Sequence, residues 1–179
     1  AYFTHLLGLC SSMMQKIITL PQPVIAQVQG IATAAGCQLV ATCDLAVAGE
    51  SSIFATNGIV NGLYCATPSV AVSRVVPKKI AMEMLLTGDF ISSEKAEKIG
   101  LINKVTPDEN LAEETRLLAQ KIAEKSKFAV RLGKASFNEQ SGKPLTEAYA
   151  QTSADLVCNL LAPDGQEGLS AFSEKRQPK

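Results

Sequence analysis

Apolar and polar positions alternate with three different periods along the chain. From Tyr2 to Thr19, Phe3, Leu6, Leu7, Cys10, Met13, Met14, Ile17 and Ile18 recur at helical spacing and predict a helix with one broad apolar face. Pro21 and Pro23 end it and lead into an extended segment. Val24 to Val28 is β-branched and apolar and reads as a buried strand, broken by Gly30. Ile31 to Gly36 is small and nearly featureless and reads as a turn that another backbone or a ligand approaches closely. Cys37 to Cys43 is small or apolar on nearly every side and reads as a buried helix.

The pattern then repeats. Leu45–Ala48 reads as a second buried strand, Gly49–Ser52 as a turn and Ile53–Ala55 as a short strand. Strands that each follow a turn or a helix predict a βα or ββα winding in the α/β class. Thr56 to Pro68 is loop-like, with Asn57-Gly58 and Asn61-Gly62 as turn signals. Such a loop beside a buried strand fits a pocket wall or a plain connector.

The rest reads mostly as helix. Helices are predicted over Lys78–Thr87, stopped by Gly88, and after a Ser92 or Ser93 cap, closed by Gly100. Leu101–Val105 is an edge strand, and further helices fall near 111–125 and 128–138. Pro144 opens another, with Leu145, Tyr149, Thr152, Leu156 and Leu160 on one face. Asp164 and Glu167 have the spacing of a capping box, which predicts Asp164 as the cap of a last helix through Phe172. The chain after Ser173 is a polar tail. We divide it into an α/β core, 1–142, and a C-terminal helical region, 143–179, whose mixed faces fit subunit contacts or a core.

Composition narrows the function classes. Lys plus Arg and Asp plus Glu both number 17, so no charge imbalance points to nucleic acid or to an anionic membrane. No apolar run is long enough to span a bilayer, and no cleavable signal stands at Ala1. Five cysteines without a CxxC read as free thiols in a reducing compartment, with Cys10, Cys37, Cys43 and Cys158 on apolar stretches expected to be buried. His5 has no carboxylate or thiol cluster beside it and reads as a surface or capping residue.

One place has the chemistry of a site. A strand, a small-residue turn and a helix start leave free N–H groups at the positive end of a helix dipole. Such a corner binds an anion or stabilises a developing oxyanion, although packing alone also accounts for the pattern.

Pro23–Ala48, Leu86–Val105 and Asp164–Pro178 carry three motifs, in order, that resemble the enoyl-CoA hydratase/isomerase (crotonase) superfamily. The resemblance implies a crotonase-like spiral of ββα units forming two sheets. It also implies C-terminal helices that assemble trimers, often hexamers. The substrate would be an acyl-CoA thioester, with coenzyme A part of that substrate, no separate cofactor and no metal. The location would be intracellular, the mitochondrial matrix in a eukaryote and the cytoplasm in a bacterium. Two backbone N–H groups would hold the thioester carbonyl. One falls by position on Ala35, flanked by Ala34 and Gly36.

The departures from the family are as informative. Hydratases of this superfamily use two glutamates to position and deprotonate water. Here Gln38 stands at the first position and Gly58 at the second. A glutamine can orient water but cannot take its proton, and a glycine has no side chain at all. Classical hydration is therefore in doubt. The Gly-rich turn after Gly62 is replaced by Leu63–Pro68, where Tyr64 and Cys65 are either replacement pocket groups or core residues. Phe172, Lys175 and Arg176 match a segment that lies near CoA in relatives, and the alternative is a solvated tail. The family's first strands, with the second oxyanion N–H, lie upstream of the position of Ala1. Their absence implies that the N-terminal part of the fold is missing and fits a fragment better than a short form. Two functions follow: an acyl-CoA enzyme that keeps oxyanion stabilisation, or a non-catalytic acyl-CoA-binding scaffold.

Overall fold

The computed structural model describes residues 1–178. Two compact units are distinguished: Ala1–Ile18 with Val24–Ala119, and Thr19–Pro23 with the chain from Gln120 onward.

In the first unit, α1 (Tyr2–Thr19) forms over the span its periodicity predicts. Its face is mostly exposed, and Met14 is its one buried residue. The chain then runs through β1 (Ile25–Val28), β2 (Ile31–Thr33), α2 (Ala35–Thr42), β3 (Leu45–Gly49) and β4 (Ile53–Ala55). A 3₁₀ turn (Asn57–Asn61) leads to α3 (Ala66–Val75) and α4 (Lys78–Thr87). Short elements β5 (Ile91–Ser92), α5 (Ser93–Lys98) and β6 (Lys104–Thr106) precede α6 (Leu111–Ala123).

Successive strands go to different sheets. One sheet has the order β1-β3-β6 and is parallel; the other has the order β2-β4-β5. β2 pairs parallel with β4, and β4 antiparallel with β5. Two strands, one per sheet, then a helix make one turn of the spiral: β1-β2-α2, then β3-β4 and on to α3. This is the two-sheet ββα winding the resemblance implies. The core lies inside it, around Phe54, Cys37, Val72, Met84 and Ala48. Phe54 alone, fully buried, contributes about 1.5–3 kcal/mol of apolar burial.

Several local expectations are corrected. Ile31–Thr33 is a strand, not a turn, because register places Ile31 opposite Ile53 and Thr33 opposite Ala55. The predicted loop ends at Cys65, just before α3 begins at Ala66; Pro68 in its first turn costs no helical hydrogen bond. Ser92 is the α5 cap, accepting from the Lys95 amide at 3.3 Å, and Gly88 and Gly100 take the left-handed conformation that stops their helices.

The second unit holds α7 (Lys127–Gln140), α8 (Leu145–Leu161) and α9 (Pro163–Ser173). The α8 face that was singled out is exposed at Leu145, Tyr149, Leu156 and Leu160. Asp164 does not cap α9. Pro163 occupies the first turn, Ala162 is the cap, and Gln166 bonds back to the Ala162 carbonyl. Asp164 instead accepts from the Ser126 hydroxyl, which itself caps α7. Of the thiols expected to be buried only Cys37 is, with Cys65 added; Cys10 and Cys43 are half-buried and Cys158 is exposed. No helix among the described residues is long and apolar enough to cross a membrane.

Candidate functional site

The corner between β2 and α2 is built from backbone. Ala34 has φ 47° and ψ −112°, a left-handed conformation that an L-residue adopts only under constraint. Two hydrogen bonds supply the constraint. The Ala34 amide donates to the Ala55 carbonyl of β4 at 3.0 Å, and the Ala34 carbonyl accepts from the Gln38 amide at 3.0 Å. The chain therefore turns abruptly from the sheet into α2. The amides of Ala35, Gly36 and Cys37 are left without an acceptor among the described residues. Ala35 is exposed, and no atom lies within 4 Å of the point a Gly36 β-carbon would occupy. Unbonded donors, a helix dipole behind them and open space in front are what a carbonyl oxygen gaining negative charge requires.

Gln38 is one turn further along α2 and 7% exposed. Its main chain is engaged, with its carbonyl accepting from the Thr42 hydroxyl at 2.7 Å, but its carboxamide has no hydrogen-bond partner among the described residues. Cys37 beside it is fully buried. Burial, with the nearby Cys65 adding to it, pushes the Cys37 thiol up to about 12, so it is inert at neutral pH.

Gly58 lies in the 3₁₀ turn, and the turn is folded tightly about it. Its carbonyl accepts from the Leu63 amide at 3.0 Å, and its amide donates to the Cys65 sulphur at 3.4 Å. A β-carbon at position 58 would stand 2.4 Å from the Leu63 carbonyl oxygen and 2.9 Å from the Cys65 sulphur. The position has no room for any side chain with the turn as it is. Tyr64 is 47% exposed, which removes the core-tyrosine reading; Cys65 is the buried thiol. Thr56, just before the turn, is fully buried and its hydroxyl oxygen has no partner among the described residues.

The neighbouring carboxylates are occupied elsewhere. Asp44 accepts from the Val24 amide at 2.7 Å while its own amide donates to the Val24 carbonyl at 3.0 Å, tying the end of α2 to the start of β1. Glu50 is exposed. The described residues contain no cluster of three His, Cys, Asp or Glu side chains placed to hold a metal ion.

Phe172 and Lys175 belong to the second unit. Phe172 is 87% exposed, and Lys175 is left-handed at φ 53° just after α9. Arg176 is held at 2.6 Å by both Glu167 and Glu174, whose carboxylates raise its already high pKa. A cavity of about 210 Å³ in this unit is lined by Gln140, Leu145, Ala148, Tyr149 and Thr152 and involves none of the predicted site residues.

The two-sheet spiral is the architecture of the enoyl-CoA hydratase/isomerase family, and the chain belongs to that family, whose model matches residues 8–179. Within it, the chain is 52% identical over 177 residues to the mitochondrial enoyl-CoA hydratase domain-containing protein 3 of Xenopus laevis, covering 99% of this chain and 60% of that protein. The human protein of the same name is 51% identical over 177 residues, with 99% and 58% covered. A crystal structure of human enoyl coenzyme A hydratase domain-containing protein 3 superposes with a TM-score of 0.96 at 51% identity, covering 99% of this chain and 70% of that one. A Mycobacterium smegmatis enoyl-CoA hydratase superposes at 0.98 with 48% identity, covering 99% and 69%. The chain thus spans about 60% of the length of the curated relatives it matches.

Ala35, Gln38 and Gly58 are assigned from the family resemblance, while neither the buried Thr56 hydroxyl nor the hold of Cys65 on Gly58 was legible in the sequence.

Proposed function

We propose that this chain is part of a protein that handles acyl-CoA thioesters by gripping the thioester carbonyl with main-chain donors, without a carboxylate proton relay. The observation that carries this is the set of unbonded amides at Ala35, Gly36 and Cys37, aimed by the constrained Ala34. In this reading the Ala35 N–H stabilises the enolate-like oxyanion, Gly36 keeps the approach open, and Gln38 hydrogen-bonds water or substrate without taking a proton. Hydration of the classical kind is disfavoured because general acid–base help, worth about 10²–10⁴-fold, has no carboxylate to supply it at positions 38 and 58. Coenzyme A enters as part of the substrate, and no separate cofactor is called for. Tyr64, Phe172 and Lys175 remain proposed contacts to the acyl-CoA. A mitochondrial location, if the source is eukaryotic, is supported by the names of the relatives, and the matrix is our reading within it. A trimer or hexamer is supported by family membership and by the exposed apolar face of α8.

The test is a panel of enoyl-, saturated acyl- and malonyl-type CoA esters offered to the full-length protein, with binding followed by calorimetry and turnover by mass analysis. Turnover that is lost in Ala35→Pro supports the reading, since proline removes that N–H and is tolerated in a first helical turn. A second reading, a non-catalytic acyl-CoA-binding scaffold, is favoured by the closed turn at Gly58. Binding without turnover across the panel selects it. No binding at all overturns both.

A further inference from the structure

α8 turns a polar stripe into its own unit. Ala148 is buried and Thr152, Asp155 and Asn159 are half-buried, while the other residues of α8 from 153 to 160 are exposed. Steps of four, three and four put these residues on one face of the helix, which packs on α7 and α9. Such a face is ordinarily apolar. Here two of its oxygens, Asp155 Oδ2 and Asn159 Oδ1, are buried with no hydrogen-bond partner among the described residues. Buried polar groups are almost always paired, and a carboxylate oxygen is among the costliest to leave alone. The cavity of about 210 Å³ opens on the same stripe: Ala148 and Thr152 line it from α8, and Gln140 from the end of α7.

The groups along this seam have one sign. The Thr152 hydroxyl donates to the Ala148 carbonyl at 2.9 Å, so only its lone pairs are left. The Gln140 amide donates to the Phe137 carbonyl and the Ser141 hydroxyl, each at 3.3 Å, and keeps its oxygen as an acceptor. Asp155 and Asn159 add two more acceptors. No basic side chain among the described residues answers them. Lys143, next to the cavity along the chain, donates to Gln151, Lys134 donates to the Gln22 carbonyl, and Arg131 lies over the Phe128 ring. An ammonium group carries three donors and a positive charge, and Thr152, Asp155 and Asn159 offer it three acceptors within about two turns of one helix. A neutral hydroxyl brings one donor, and a carboxylate brings none.

We propose that the seam between α7 and α8 binds a small organic ammonium ion. Its head is held by Asp155, Asn159 and Thr152, and its carbon chain fills the cavity against Leu145, Ala148 and the Tyr149 ring. The volume suits a ligand of about six heavy atoms, and Leu145 and Tyr149 are the exposed residues of its lining. The site lies wholly within the second unit and shares no residue with the corner at the head of α2. It is a second ligand site, independent of the acyl-CoA reading. An occupant also braces the end of α8, since the Asn159 carbonyl accepts from the Ala162 amide where α8 gives way to α9.

The full-length protein is titrated by calorimetry with n-butylammonium, and with 1-butanol and butyrate as controls of similar size. We expect one saturable site for n-butylammonium, at least about tenfold tighter than for 1-butanol, and none for butyrate. Affinity should rise about three- to fourfold per methylene from methyl- to butylammonium as the cavity fills. Asp155→Asn keeps the shape, removes the charge and should weaken binding at least about tenfold. Ala148→Met fills the cavity, leaves the acceptors in place and should block n-butylammonium, so the test stands even where Asp155→Asn does not fold. Equal affinity for n-butylammonium and 1-butanol overturns the proposal. Binding unchanged in Asp155→Asn overturns it too, and would mean that Asp155 and Asn159 satisfy each other within α8. Absence of n-butylammonium binding, or weak binding at many sites, does the same.

Discussion

The sulphur of Cys65 accepts a hydrogen bond from the amide of Gly58 at 3.4 Å and would stand 2.9 Å from a β-carbon at that position. Gly58 and the residue seven positions later are thus one structural unit. Restoring a carboxylate by Gly58→Glu must displace both this sulphur and the Leu63 carbonyl. Overpacking of this kind costs about 1–3 kcal/mol. We expect a lower midpoint in denaturant for Gly58→Glu and no gain in crotonyl-CoA hydration, even combined with Gln38→Glu. Adding Cys65→Ala should recover only part of the stability, because the Leu63 carbonyl stays in place. A doubly substituted protein that hydrates briskly at unchanged stability would show the turn to be more open than described.

Ala34 is held left-handed by its bonds to Ala55 and Gln38. Strain of this kind is worth about 1–3 kcal/mol, and glycine relieves it while adding backbone entropy to the unfolded chain. Ala34→Gly should therefore be neutral or more stable by up to about 1 kcal/mol. Ala34→Val should lose at least about 1–3 kcal/mol, since a β-branched residue tolerates this conformation least. Chemical unfolding of the two variants beside the parent decides it, and equal losses in both would mean that the corner is not under strain.

The Cys37 thiol, raised to about 12 in the folded state from an ordinary value of 9.0, gives a signed pH dependence. The group is protonated in both states below about pH 8, so it contributes no slope there. Above that the unfolded chain releases its proton while the folded one keeps it. Stability then falls with pH, at up to about 1.4 kcal/mol per unit, until the folded thiol also ionises. Unfolding titrations from pH 8 to 10.5 should show a shallower decline in Cys37→Ala than in the parent. In thiol labelling of the native protein, the exposed Cys158 should react first and the buried Cys37 last.

In the second unit, a β-carbon on Gly165 would lie 2.0 Å from the Asn159 carbonyl oxygen. That close approach lets α9 start immediately after α8. Gly165→Ala should cost about 1–3 kcal/mol or more and loosen α9 first. Amide exchange should rise in Pro163–Ser173 before it rises in α2. Uniform exchange across the chain would argue that the helices do not open separately.

Where local pattern and tertiary pairing agree, the sequence sufficed. α1 and α4 form over the residues their periodicity marks, β4 forms over the short apolar run after its turn, and Gly88 and Gly100 stop the helices they were expected to stop. β2 was hidden because Ile31-Ala-Thr33 is too short for a period and becomes a strand only through Ile53 and Ala55. α3 was hidden by Pro68, which reads as a breaker but sits where helical amides are free. Asp164 was misplaced because Pro163 opens α9 and moves its cap back two residues, to Ala162. At the corner, Ala35 itself came from the family resemblance, and only the turn into a helix was legible from its small residues. The closure of the turn over Gly58 was not, since it depends on an oxygen and a sulphur arriving from residues that no spacing rule connects to it.

The donors at the head of α2 belong to the main chain, and their aim is set by one distorted alanine and a strand beyond it. Almost any replacement at Ala35 short of proline leaves them in place. Such a grip is nearly invisible to point substitution, so side chains around it are free to drift. A chain built this way can change the side chains around the corner and keep the main-chain donors where they are.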